Sequence, residues 1–394
     1  MKKIIISIIL ILTLTGCWNY KELNDYSIVT GIAIDKVDEN KYEVSTLISN
    51  SPKNNSQNGS NESQIVIYSG KGNSIVNALK EIGLISPKEL YLGSFSILVI
   101  SEDIAKDGIN NVIDFFFRYS NSRKNFDIVI AKDAKAKDAI KIMSPLTNFP
   151  SQNISENLDS TTKLQGIISK TNFNTLLATL LRDGISPTIN SINIVGNSKE
   201  GEKKKNLETS SPDNYVKLGN LGIFKDDKLI SWTTHNESLG INIINNKISE
   251  MYLKVKYKDG YVVIDTSSFK SNTSVCLKNN KPYVNIKLNG TARIIEVKGN
   301  IDLSSINVIQ DLEKKSNKNI KKYANEAIEL AKKYETDIFG FGLKFYQKYP
   351  KYFNKNKKNW DKNLDKLNIN ITSNIILENK VSAKNSLEGK NGKE

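Results

Sequence analysis

The chain has 394 residues, with 56 Lys+Arg against 42 Asp+Glu, 1 His, 2 Cys and a formal net charge of +14. One histidine and two cysteines exclude a Cys/His zinc centre and a disulfide-stapled scaffold. The positive charge is almost all lysine, with arginine only at Arg118, Arg123, Arg182 and Arg293. Lysine is poor at bidentate phosphate recognition, and the charge is read as a solvated surface with no nucleic-acid partner.

Lys2 and Lys3 precede an apolar run, Ile4 to Leu14, broken only by Ser7 and Thr13. The run is too short to span a bilayer as a helix and has the length of a signal-peptide core. Leu14-Thr15-Gly16-Cys17 then reads as the lipobox of bacterial lipoproteins. Its chemistry is a diacylglyceryl group on the Cys17 sulfur and cleavage after Gly16, so residues 1–16 are a removed signal peptide. Two acyl chains hold stably where one does not. The mature chain is expected at the outer face of a membrane, with no later stretch of about 18 apolar residues to span it. Cys17 carries lipid and Cys276 has no partner, so no disulfide is expected, and Cys276 reads as a small buried residue in a strand.

Strands are expected at Ser27–Asp35, Lys41–Ile48 and Gln64–Tyr68, with a polar loop over 50–64. A helix from Ile75, capped by Ser74 and ended by Gly83, follows. Phe95–Ile100 is too apolar for a half-exposed strand and is placed at a sheet centre. One helix is expected over 102–119, a strand over Phe126–Ala131, a helix over Ala134–Met143, more helix over 154–182 and a strand over 187–196.

Residues 197–214 carry lysines and glutamates in the first half, Ser210-Ser211-Pro212 in the second and few apolar residues, and read as a linker. The expected organisation is an N-terminal α+β region, 17–196, and a C-terminal α+β domain, 215–378, before a polar, disordered tail, 379–394. In the second half strands are expected at Tyr215–Lys225, Lys228–Trp232, Ile248–Lys258, Gly260–Asp265, Lys270–Leu277 and Lys281–Val297, with Asp226-Asp227 and Asp259-Gly260 in hairpin turns. A long helix over about Leu303–Thr336 has one apolar face, and Ile369, Ile371 and Ile375 mark a last strand. Runs of strands with grouped helices argue α+β with mixed or antiparallel sheets, not a doubly wound parallel sheet.

Catalytic patterns are missing. His235 is alone and reads as a turn or surface residue; there is no Gly-x-Ser-x-Gly elbow and no phosphate loop. The acid pairs fall in turns, where acids serve conformation. The chain is read as no enzyme, with no metal and no cofactor beyond the covalent lipid.

Several blocks, in order, resemble the Ger(x)C family, the C-subunit lipoproteins of spore germinant receptors. They are Cys17-Trp18-Asn19-Tyr20-Lys21-Glu22-Leu23, with Asn19 where the family has an acid, and Ile28 to Asp35. Leu90 to Gly93 and Phe115 to Arg118 come next, then Leu221 to Ile230, Asn236 to Gly240, Asp337 to Gly342, and Trp360. The resemblance implies an α+β fold of about three domains with unusual topology. It also implies a place on the outer face of the spore inner membrane, beside a multi-spanning A subunit and a transporter-like B subunit. Trp18, Glu22 and Leu23, next to the lipid, are the candidate membrane or partner contacts; Trp suits that interface. Asp337 to Gly342 reads as structural, with Asp337 a helix cap, Phe339 and Phe341 core and both glycines allowing close packing. A lipid-anchored solute-binding protein is the alternative, but it needs two α/β lobes, which the strand-rich second half disfavours.

Overall fold

The computed structural model describes residues 22–50, 64–164 and 166–378. The expected signal peptide with Gly16, then Cys17, Trp18, most of the polar loop and the expected tail lie outside the described residues. β1 (Tyr26–Asp38) and β2 (Lys41–Ser49) form the expected hairpin, and β3 (Ile65–Gly72) adds to β2. α1 (Ile75–Gly83) starts where the Asn77 N–H donates to Ser74 Oγ at 3.1 Å. β4 (Glu89–Tyr91), β5 (Ile97–Ser101), α2 (Glu102–Asp107), α3 (Asn110–Arg118) and β6 (Asp127–Ala131) follow. Then come α4 (Ala136–Ala139), α5 (Pro150–Leu164), α6 (Phe173–Leu180) and β7 (Thr188–Val195).

Two helices depart from expectation. The single helix over 102–119 is broken at Gly108, whose φ is 131°. The break is filled by the turn after Lys225: the Ile109 N–H donates to Asp227 O at 3.0 Å and the Asn110 N–H to Asp227 Oδ2 at 3.1 Å. The helix expected over 134–143 shrinks to the one turn of α4. Its leading N–H groups, of Ala136 and Lys137, donate to the buried Asp35 carboxylate at 2.7 and 2.9 Å.

Among the described residues, 9 strands form one sheet in the order β3-β2-β1-β5-β6-β7-β8-β9, with β4 beside β1; β8 is Tyr215–Lys225 and β9 is Lys228–Trp232. The pairings β1–β5, β5–β6 and β6–β7 are parallel, and the flanks are antiparallel. The α+β reading with mixed sheets holds, and the parallel pairings lie in the middle of this sheet. Helices on both faces explain it, because parallel strands need both sides covered. Leu98, Ile100, Ile128 and Ile130 pack towards α1, α2, α3 and α6. Ile97, Val99, Val129 and Ala131 pack towards α4 and α5.

The polar stretch 197–214 holds two one-turn helices, α7 (Ser198–Gly201) and α8 (Lys205–Glu208). Its Asn206 is buried, and the side-chain amide donates to Met143 O at 2.8 Å and Asn214 O at 3.0 Å. The stretch connects β7 to β8, antiparallel neighbours in one sheet. The expected linker is an ordered connection, and residues 215–232 pair into the first sheet as β8 and β9.

α9 (His235–Ile244) was missed by the sequence reading. Residues 238–244 are all buried, so the helix has no polar face there and no amphipathic period to detect. Its start is a capping box: the Glu237 N–H donates to Thr234 Oγ1 at 3.3 Å and the Thr234 N–H to Glu237 Oε2 at 2.7 Å. The second sheet runs β10-β11-β12-β13, from β10 (Met251–Tyr257), β11 (Gly260–Lys278), β12 (Lys281–Lys298) and β13 (Asn368–Leu377). The two strands expected within 260–277 are one strand with an irregularity between Ser267 and Lys270. α10 (Ile306–Lys333), α11 (Phe341–Lys348) and α12 (Pro350–Asn356) complete the chain. Gly240 lets α9 meet α10, since a Cβ there would lie 2.0 Å from Tyr323 O. One core joins Leu221 and Ile223 of β8 to α9, α10 and the second sheet, so packing is continuous across both halves.

Candidate functional site

The described chain begins at Glu22, which is exposed. Its N–H donates to Asp25 Oδ2 at 3.1 Å, and the Asp25 N–H donates to Glu22 O at 3.0 Å, closing the single turn Leu23–Asp25. This turn leads straight into β1. The Tyr26 ring lies 5.5 Å from that of Tyr91, and the Ser27 and Ser86 hydroxyls share a 3.0 Å hydrogen bond. The start of β1 is thus tied at once to β4 and the segment before it.

The second candidate block sits deeper. After α10 the chain turns through Glu335, at φ 48°, into Thr336 and Asp337, both fully buried. The Asp337 carboxylate accepts from the Phe341 N–H at 3.0 Å and the Gly342 N–H at 2.7 Å, the first free donors of α11. The Trp360 indole N–H also donates to Asp337 Oδ2, at 2.8 Å. Burial pushes the Asp337 carboxyl up to about 6, against the opposing pull of the Gly342 N–H, the Trp360 indole and the Phe341 N–H. The Asp337 N–H in turn bonds the Asp361 carboxylate, whose pKa is also raised, first by burial.

The backbone of this block holds the first half of the protein. The Ser186 N–H donates to Asp337 O at 2.8 Å and the Leu343 N–H to Gly184 O at 2.9 Å. Thr336 Oγ1 donates to Phe224 O at 2.7 Å, and the Asn245 amide to Ile338 O at 3.1 Å. The expected structural role is what the geometry displays: Asp337 caps α11, and Phe339 and Phe341 stack with ring centroids 5.1 Å apart.

Beside this junction lies a cleft of about 360 Å³, bordered by Asp183, Asp226, Lys357, Trp360 and Asp361. Lys357 Nζ sits 2.6 Å from Asp183 Oδ2, so one cation is already matched to an acid. His235 is exposed at the first turn of α9. No group of three His, Cys, Asp or Glu side chains suited to a metal occurs among the described residues. Cys276 is half-buried and free. The sequence reading picked out Asp337 and Trp360 separately, and the structure brings them together. It missed the Asp183–Pro187 loop, for which the Asp183-Gly184 pair and Pro187 were the available turn signals.

Fold and junction define an α+β protein of two mixed sheets in which the buried polar groups serve packing. The comparisons give the family. Residues 19–194 match the model of the spore germination protein N-terminal domain, and residues 219–380 that of the spore germination B3/GerAC-like C-terminal region. The chain belongs to this spore germination family, the Ger(x)C group of germinant-receptor C subunits. It is 28% identical to Spore germination protein KC of Bacillus subtilis (strain 168), covering 91% of this chain and 90% of that one. It is 23% identical to Spore germination protein GerQC of Bacillus cereus, over 95% and 98% of the two chains. A crystal structure of the GerBC protein shares the fold, with a TM-score of 0.54 at 15% identity over 92% of this chain and 100% of that one. The family boundary falls within 195–218, although the sheet runs across it.

Proposed function

We propose that this protein is the lipid-anchored C subunit of a nutrient germinant receptor. It works on the outer face of the spore inner membrane with membrane-embedded A and B subunits, and their combined response to a nutrient starts germination. The observation that carries this reading is the position of the family match, which begins at residue 19, two residues after the lipobox cysteine. No described helix is long and apolar enough to cross a membrane, so the reading places membrane attachment on the diacylglyceryl group of Cys17. Trp18, Glu22 and Leu23 then form the first contact with the membrane or with a membrane subunit. The protein acts by assembly and not by catalysis.

The test is deletion in a spore-former that lacks redundant receptors, scored on a panel of nutrients. Loss of germination to particular nutrients, restored by the wild-type chain but not by Cys17→Ala, is the expected result. Unchanged nutrient responses on deletion would overturn the receptor role. Normal germination with Cys17→Ala would overturn the anchor. Trp18→Ala at normal protein level separates a docking role, which predicts slowed germination, from simple packing.

A further inference from the structure

The start of β1 lies beside an exposed apolar face. Tyr26 pairs with Glu89 and Ser27 with Leu90, in the parallel pairing of β1 with β4. Beyond β4 a shallow groove of about 530 Å³ is lined by Val76 and Leu79 of α1, Leu90 of β4, and Phe115 and Tyr119 at the end of α3. At the end of α1 the apolar surface continues through Leu84 and Ile85, which are 82% and 56% exposed. Val76 is 46% exposed. Large aliphatic side chains left this open, in sequence and beside an aromatic-lined groove, mark an interaction surface.

The position of the chain start decides the occupant. Cys17 precedes Glu22 by five residues, a span of at most about 18 Å when extended. A diacylglyceryl group on Cys17 therefore brings a bilayer within that distance of Glu22, one turn (Leu23–Asp25) before β1, and β4 beside β1 forms one wall of the groove. A tethered surface is met at an effective concentration that no free partner matches. The chemistry also suits a lipid interface: aliphatic groups at the tip, Tyr119 in the groove, and Lys80 and Lys88 against the single acid Glu89 along its border. Tyrosines prefer the headgroup level, and lysines reach phosphates while their stems lie on apolar surface.

We propose that the face formed by Leu84, Ile85 and the groove between α1 and α3 rests in the headgroup region of the phospholipid bilayer that carries the anchor. The proposal rests on the lipid-anchored reading above and fixes the orientation of the whole protein: the first sheet meets the membrane by its β4 end.

The test separates the two readings. Residues 17–394 with Cys276→Ala are coupled through Cys17 to a maleimide lipid in phosphatidylcholine–phosphatidylglycerol vesicles, so the tether is present whether or not cells lipidate Cys17. Hydrogen exchange is compared with the uncoupled protein. Residues 76–92 and 115–119 should exchange several-fold more slowly on the vesicles. The protection should vanish with Leu84→Asp plus Ile85→Asp, both exposed, at an unchanged melting temperature. Equal exchange in 76–92 on and off vesicles would overturn the proposal, as would protection confined to another face. Protection of the uncoupled protein that grows with its own concentration would identify a second copy as the occupant and overturn it too. Mass spectrometry of the native protein independently reads the lipid on Cys17.

Discussion

The indole N–H of Trp360 and the two leading N–H groups of α11 converge on one buried carboxylate, Asp337, with Trp360 donating at 2.8 Å. The contact ties the region before β13 to the turn after α10. Trp360→Phe keeps most of the ring that packs on Phe345 and Phe353, and removes the donor. A hydrogen bond to a charged partner is worth about 1.5–3 kcal/mol, so urea denaturation should show a loss of that order with an unchanged slope. Trp360→Ala, which also empties ring volume, should cost about 3–5 kcal/mol.

Asp337 should also give a signature in pH. Its carboxyl titrates from an ordinary 3.8 when unfolded to about 6 when folded. Between those values the folded chain keeps a proton that the unfolded chain has released. Its contribution to stability is therefore full below about pH 4 and falls away as pH rises to about 6, a change of about 3 kcal/mol. Burial also raises Asp35 and Asp127, so the whole-protein profile is a sum. The contrast with Asp337→Asn removes this carboxyl together with its repulsion by Asp361. From pH 4.5 to 7.5 the variant should gain stability relative to wild type; parallel profiles would contradict the assignment.

Much of the fold is legible along the chain, because most strands and the long α10 helix carry a local pattern of their own, while the three-residue β4 carries none. Ser74 reads as a cap because its bond to Asn77 is local. What sequence does not display is partner-dependent. The break at Gly108 is filled by Asp227, 117 residues away from the Asn110 that it caps. α9 hides because residues 238–244 are buried on every side. The parallel centre of the first sheet depends on crossovers, and the short runs of β5 and β6 are apolar in any buried pairing. For the junction, Asp337 and Trp360 are each visible as residues, but their bond is a product of tertiary folding.

Gly184 and Gly342 test how tightly the junction closes. Gly184 has a φ of +74°, and a Cβ on it would lie 2.6 Å from the Gly342 carbonyl carbon. A Cβ on Gly342 would in turn lie 2.6 Å from Gly184 Cα and 2.6 Å from the Trp360 indole nitrogen. Overpacking costs about 1–3 kcal/mol, and a left-handed backbone adds about 1–2 kcal/mol at Gly184. Gly184→Ala should therefore destabilise more than Gly342→Ala. Limited proteolysis of Gly184→Ala should cut near 183–187 and 337–343 at once, since each segment bonds the other.

The outer edge of β13 gives the last prediction. Asn317, on α10, treats this strand as a ladder partner: its amide donates to Ile375 O at 3.1 Å and accepts from the Ile375 N–H at 2.8 Å. Ser373 Oγ donates to Asn317 Oδ1 at 2.7 Å, and the Leu377 N–H donates to Glu313 Oε1 at 2.8 Å. β13 is the last strand of its sheet, and an open edge is a template for pairing with another chain. Asn317→Ala frees one donor and one acceptor of Ile375 together. It should cost about 1–3 kcal/mol, and it should also produce concentration-dependent association in analytical ultracentrifugation. Asn317→Asp keeps the acceptor for the Ile375 N–H but opposes Ile375 O with a second oxygen. It should therefore lose similar stability while its added charge resists association. Equal association by both variants would mean that α10 guards this edge by bulk alone, and not by the hydrogen bonds of Asn317.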